Sequence, residues 1–234
     1  MAREGTARQR IRAELTREIK EAARLELVAA GAAGLSLRAV ARRVNLVPSA
    51  IYRYFAGRDA LLTALITDAY EDLAAAAEAA DRAAGAEPGH RWLAIGRAMR
   101  AWAWANPSQW GLIYGTPVPG YEAPPDTVVA GTAVVRLLIG LLHEAHDRPD
   151  AAPLPVPPPV DSRLRRWLTR VAMEEMAGLP AEVLAAGIFA FSSLLGAIST
   201  ELFGQFGSDA TPAEAMFDTS LRTLGTLLAL PGVD

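Results

Sequence analysis

Apolar residues in this chain recur at intervals of three and four, and no stretch alternates convincingly between apolar and polar. That period is helical, because side chains three and four apart share one face of a helix whereas a half-buried strand needs a period of two. From Thr16, the residues Ile19, Ala22, Ala23, Leu27 and Ala30 set the pattern, and Gly31 and Gly34 stop it. Alanine and leucine dominate while β-branched residues are scattered, which favours helices over sheets. The expected fold is all-α. With 51% apolar residues in 234, the chain can bury a sizeable core.

The same reading divides the chain. Residues 1–15 are an arginine-rich arm, expected to fray. After the first helix, Ser36 can cap a second, in which Leu37, Val40, Ala41 and Val44 point inward. Asn45 breaks it, since asparagine tolerates a left-handed backbone. A third helix starts at Pro48, carries Ile51 and Phe55 inward and ends at Ala56-Gly57. A fourth, with Asp59 near its start, runs through Leu61, Leu62, Leu65 and Ile66 toward Ala84. Further helices are expected over His90–Ala105, Ser108–Gly115, Asp126–Asp147, Ser162–Ala177, Pro180–Phe206 and Thr211–Leu230. The last two are joined by Gly207-Ser208-Asp209-Ala210. Pro149–Val160 holds six prolines in twelve residues and reads as a connector.

Charge is unevenly spread. Residues 1–60 hold 12 Lys+Arg against 6 Asp+Glu, and residues 61–234 hold 11 against 20. A basic head on an acidic body suits an anionic partner for the head, although a solvated surface gives the same count. There is no cysteine, which excludes disulfides, thiolate metal sites and cysteine nucleophiles. Met1–Lys20 is charged throughout and lacks the apolar run of a signal peptide, so a cytoplasmic location is expected. Val183–Thr200 is free of charge for 18 residues, the length of a short membrane span. Its serines and glycines, the flanking Glu182 and Glu201, and the lack of nearby basic residues favour a helix buried in protein, with no membrane partner.

Two short helices joined by a tight turn and braced by a longer first helix make a helix-turn-helix. Ala41 is small enough for close approach of the second and third helices. Anchoring by Ile51 and Phe55 leaves Ser49, Tyr52, Arg53 and Tyr54 on or near the exposed side. Hydroxyls and guanidinium groups there can reach phosphates and base edges of double-stranded DNA. A generic three-helix bundle with two buried tyrosines is the alternative.

Residues 19–66 resemble the head of TetR-family transcriptional regulators. The resemblance lies in Ile19-x-x-Ala22-Ala23, Gly31, Leu35-Ser36-Leu37-Arg38-x-Val40-Ala41, Ile51-Tyr52-Arg53-Tyr54-Phe55 and Arg58-Asp59-x-Leu61-Leu62. It implies a helix-turn-helix domain over 1–60 and a helical ligand-binding and dimerisation domain over 61–234. It also implies a homodimer, a palindromic operator and a small-molecule effector that releases it, so that the protein acts as a repressor without a cofactor. By matching position, the implied DNA contacts are Arg38, Ser49, Ala50, Tyr52, Arg53, Tyr54 and Arg58. The chain departs from the family at Val47-Pro48, where members often carry Ser then Lys. Val47 offers no side-chain oxygen as a cap, and a lysine's phosphate contact is missing. Affinity then leans more on Arg42, Arg43 and the N-terminal arginines.

In the body, helices 180–206 and 211–230 are the expected dimer interface, with Ala185, Ala186, Ser192, Ser193, Gly196 and Ala197 permitting close packing. Trp102-x-Trp104-Ala105-Asn106-Pro107, Trp110–Gly115 and the loop Thr116–Tyr121 resemble a tryptophan-containing C-terminal subtype of the family. Trp102, Trp110, Tyr114, His143 and Met173 are candidate ligand-lining residues for an apolar or amphipathic effector, while a stripe of Trp and Met also suits plain core. His143 and His146 lie three apart on one helix face, but they lack the i, i+4 spacing of a zinc helix. A helical-bundle metal protein or enzyme using that pair is the competing reading, and a DNA-binding module that docks another protein instead of sensing a ligand is a third. No metal site, catalytic residue or glycine-rich phosphate loop is expected.

Overall fold

The computed structural model describes residues 2–125, 127–175, 178–207 and 212–233, and the side chains of 2–6 and 171–175 fall outside that description. The described residues form helices and no strand: α1 (Ala2–Gly34), α2 (Leu37–Arg43), α3 (Pro48–Ile51), α4 (Arg58–Ala83), α5 (Pro88–Ala105), α6 (Pro107–Tyr114), α7 (Thr127–Gly131), α8 (Ala133–His146), α9 (Ser162–Glu175), α10 (Ala181–Leu202) and α11 (Ala213–Leu227). They gather in two compact units. One comprises Met1–Glu71 with Asn106–Gly131, and the other Asp72–Ala105 with Thr132–Asp234.

The first unit closes on one apolar cluster. Ile19, Ala22, Ala23 and Leu27 of α1 meet Leu37, Val40 and Ala41 of α2, then Ile51, Phe55 and the α4 residues Leu61, Leu62, Leu65 and Ile66. Ala30 is exposed instead, because the chain leaves the helical path at Gly31, with φ 67° and ψ 173°. Only glycine holds that conformation readily. Between α1 and α4, Asp68 accepts from Lys20 Nζ at 2.6 Å and from Arg24 Nη2 at 3.0 Å. Trp110 of α6 is fully buried, 4.7 Å from the Tyr114 ring, and Tyr70 meets Tyr114 edge-on. Burial, with the neighbouring Tyr70 adding to it, pushes the Tyr114 hydroxyl far above the usual tyrosine range.

The second unit is built on α5, whose Trp92, Ile95 and Met99 are buried. Gly96 brings α5 against α11: a Cβ there would stand 2.5 Å from Leu221 Cδ1. The Trp92 indole donates to the Leu221 carbonyl at 2.8 Å. Arg91 bridges Asp81 and Glu144, while Arg97 pairs with Asp218. The connector 149–160 carries no helix but buries Leu154.

Several expected boundaries move. Of the arm expected to fray, residues 2–15 are helical, in keeping with their run of alanine, arginine and glutamate. Ser36 sits at the start of α2 with an extended backbone but makes no side-chain capping bond. The helix expected over Asp126–Asp147 is divided at Gly131-Thr132, and Asp126 lies outside the described residues. The ends of α10 and α11 come early for one reason. Gly204 (φ 67°) and Ala229 (φ 54°) are left-handed, and each anchors a closing pair of bonds: Gln205 N–H to Thr200 O and Gly204 N–H to Glu201 O, then Leu230 N–H to Gly225 O and Ala229 N–H to Thr226 O. The expected ends Ala177 and Thr211 and the link 208–210 lie outside the described residues.

Candidate DNA-binding surface and apolar cavity

The turn between α2 and α3 follows from one residue. Asn45 has φ 54°, and the flanking bonds run from Leu46 N–H to Ala41 O at 2.9 Å and from Asn45 N–H to Arg42 O at 3.2 Å. That pair satisfies two carbonyls at the end of α2 and reverses the chain. Leu46 then packs on the core, and Val47 is 66% exposed, leading into Pro48 at the first position of α3 without a side-chain cap. Regular helix lasts only to Ile51, not to Phe55 as the sequence pattern suggests. The bonds from Arg53 N–H to Ala50 O and from Tyr54 N–H to Ile51 O span three residues and tighten the last turn.

One arginine braces this element and another the end of α1. Arg12 of α1 donates from Nη2 to the Arg53 carbonyl at 3.2 Å, and its guanidinium lies 5.7 Å from the Tyr54 ring centre. Arg58 donates to Ala32 O at 2.8 Å and to Leu35 O at 3.3 Å, satisfying carbonyls at the end of α1. Ser49, Tyr52 and Arg53 are exposed on the same short element, while Ala50 and Tyr54 are half-buried. Arg38 and Arg42 are exposed on α2, and Arg43 is tied to Glu26. The surface that results is cationic and carries hydroxyls, suited to an anionic polymer.

The second unit holds an apolar cavity of about 310 Å³. Trp92 of α5 lines it. Leu138 and Leu142 of α8, Leu184 and Phe191 of α10, and Trp167 of α9 form its walls. Trp167 and Ile188 line it while remaining 48% exposed each, which marks the mouth between α9 and α10. The volume sits at the lower end of the roughly 300–1,000 Å³ usual for small-molecule sites.

Residues 19–65 match the bacterial regulatory proteins of the tetR family, and residues 92–224 match the tetracyclin repressor-like C-terminal domain. The HTH-type transcriptional regulator Rv1816 of Mycobacterium tuberculosis is 38% identical over 236 residues, covering 95% of both chains. The chain belongs to the TetR family. Among solved structures, the regulatory protein SCO4313 superposes with a TM-score of 0.76 at 33% identity, covering 92% of this chain and 97% of that one. A protein of unknown function from Rhodococcus sp. RHA1 follows with a TM-score of 0.66 at 25% identity, covering 92% and 95%.

This TetR-family transcriptional regulator gathers the expected DNA-contact positions Arg38, Ser49, Ala50, Tyr52, Arg53 and Tyr54 on α2 and α3 with the turn that follows α3. The guanidinium of Arg58 is directed to the α1 carbonyls. The expected ligand residues are not brought together at the cavity. Trp110 and Tyr114 pack with each other in the first unit, and Trp102 and His143 are half-buried elsewhere than its wall. The side chain of Met173 lies outside the described residues. His143 and His146 diverge: His143 Nδ1 is 3.6 Å from Asp147, and His146 Nε2 is 3.1 Å from the Leu228 carbonyl. Among the described residues no three metal-ligating side chains converge. Sequence reasoning missed Trp167, which falls inside the helix expected over Ser162–Ala177 but not among the candidate ligand residues.

Proposed function

We propose that this regulator is a repressor that binds a palindromic operator as a homodimer and leaves it when a small apolar or amphipathic molecule occupies the cavity. The braced, exposed group Ser49, Tyr52 and Arg53 carries the DNA reading. On this reading Ser49, Ala50 and Arg53 address base edges, Tyr52 and Tyr54 the backbone, and Arg38 enters from α2. Arg58 contributes by holding α1 in place and by its charge. The DNA-binding role falls to residues 1–60, and ligand binding and dimerisation to 61–234, in the cytoplasm.

Dimerisation through α10 and α11 is supported by the uncovered apolar side chains Phe189 and Met216, with Phe203 just past the end of α10, beside exposed Ser192 and Gly196. Ala181–Leu202 is also long and apolar enough to cross a membrane by composition, and Glu201 near its end is held by Arg100. A two-fold dimer also supplies the two half-sites a palindrome requires. Selection of bound sequences from random duplex DNA tests the proposal. It should return an inverted repeat, and a non-repeating site or no enrichment would refute it.

A further inference from the structure

The cavity and the helix beside its mouth differ sharply in chemistry. Among the described residues, none that lines the cavity brings a charged side chain, and the Trp92 indole N–H is already given to the Leu221 carbonyl. A charged group cannot enter such a space without losing its hydration uncompensated. Yet α9, which supplies Trp167 at the mouth, carries four arginines within residues 163–170, in a region of the chain that is otherwise acidic.

Three of these arginines are placed alike. Arg163, Arg166 and Arg170 lie three and four apart and so share one face of α9. Trp167 is four residues after Arg163 and three before Arg170, which puts it along the edge of that face. All three are exposed, and among the described residues no carboxylate pairs with them. Arg165 points the other way and is held by Glu182. A cationic stripe therefore borders the one exposed aromatic that reaches into the cavity.

We propose that the effector is an anionic amphiphile: one aliphatic tail filling the cavity, and a carboxylate or phosphate head resting on Arg163, Arg166 and Arg170. This rests on the cavity being the effector site. Guanidinium groups bind both kinds of head through paired, charge-assisted hydrogen bonds. The tail supplies affinity through burial and the arginines select the charge.

The test titrates the full-length protein with sodium decanoate, decyl phosphate and 1-decanol, followed by calorimetry and tryptophan emission. The variants are Arg163→Gln/Arg166→Gln/Arg170→Gln and, separately, Trp167→Phe, all at exposed positions. The triple variant should bind decanoate and decyl phosphate roughly tenfold or more weakly while binding decanol unchanged. The emission change should shrink in Trp167→Phe to what Trp92 alone contributes, and the difference between parent and variant is the Trp167 signal. Equal affinity of the triple variant and the parent for both anions, with the Trp167 signal retained, overturns the anionic head and leaves the cavity as effector site. Loss for decyl phosphate alone or decanoate alone keeps the proposal and names the head. No heat and no Trp167 signal with any probe overturns the cavity reading, and this inference with it.

Discussion

Arg100 and Glu201 meet in two parallel hydrogen bonds, Nε to Oε2 at 2.8 Å and Nη2 to Oε1 at 2.6 Å, across α5 and the end of α10. Glu201 is buried, so the pair satisfies a carboxylate that water does not reach freely. Arg100 also lies 5.5 Å from the Phe217 ring of α11, which brings three helices to one guanidinium. Removing one partner leaves the other buried and unpaired. Arg100→Ala should therefore lower stability by about 3 kcal/mol, read as the urea midpoint. Replacing the pair together by Met and Leu should recover most of the loss.

The end of α11 offers a gain. Ala229 holds φ 54° at the closing turn, a conformation that costs a residue with a Cβ about 1 kcal/mol or more. Ala229→Gly relieves it and should raise the melting temperature. No rise would show that the turn's strain is compensated by the contacts of half-buried Ala229.

On the DNA face, Tyr52→Ala or Arg53→Ala should weaken operator binding by about 1–3 kcal/mol each. The dimer and its melting curve should stay intact, because both side chains are exposed. Unchanged affinity in a mobility-shift titration would remove these residues from the interface.

Acid should act through Asp218. Its hydrogen bond from Arg97 holds the carboxyl below the usual aspartate range, against the opposing effect of partial burial. The folded state then binds a proton less readily than the unfolded chain. The stabilisation is complete above the ordinary aspartate pKa of about 3.9 and fades as pH falls below it. The parent should exceed Asp218→Asn in urea midpoint at neutral pH, and the gap should close toward pH 3. A gap independent of pH would show that the carboxylate's charge contributes nothing.

The head was legible in the sequence because its determinants are local. Asn45 alone sets the turn, and Ile19, Leu37, Ile51 and Leu61 mark the core at spacings that a helix dictates. Ends governed by a single left-handed residue, such as Ala229, were not, because alanine gives no sign of that backbone. The cavity was not legible either. Trp92, Leu138, Trp167 and Phe191 come from four helices, and nothing in an apolar residue's own neighbourhood tells a cavity wall from packed core. Trp110 shows the converse: a candidate ligand residue by its type, it is fully buried in the first unit.

If the cavity is the effector site, as proposed, its apolar wall sets how tails are discriminated. A site that hydrogen-bonds its ligand rejects an analogue lacking the group by leaving a buried partner unsatisfied, and the described residues of this wall offer no such partner. Each methylene gained or lost is worth only about 1–3 kcal/mol in a hydrophobic pocket. Responses to a homologous series of tails should accordingly form a gradient with length, cut off where the chain outgrows the space. The cell would read from such a regulator the abundance of a class of molecules rather than the presence of one.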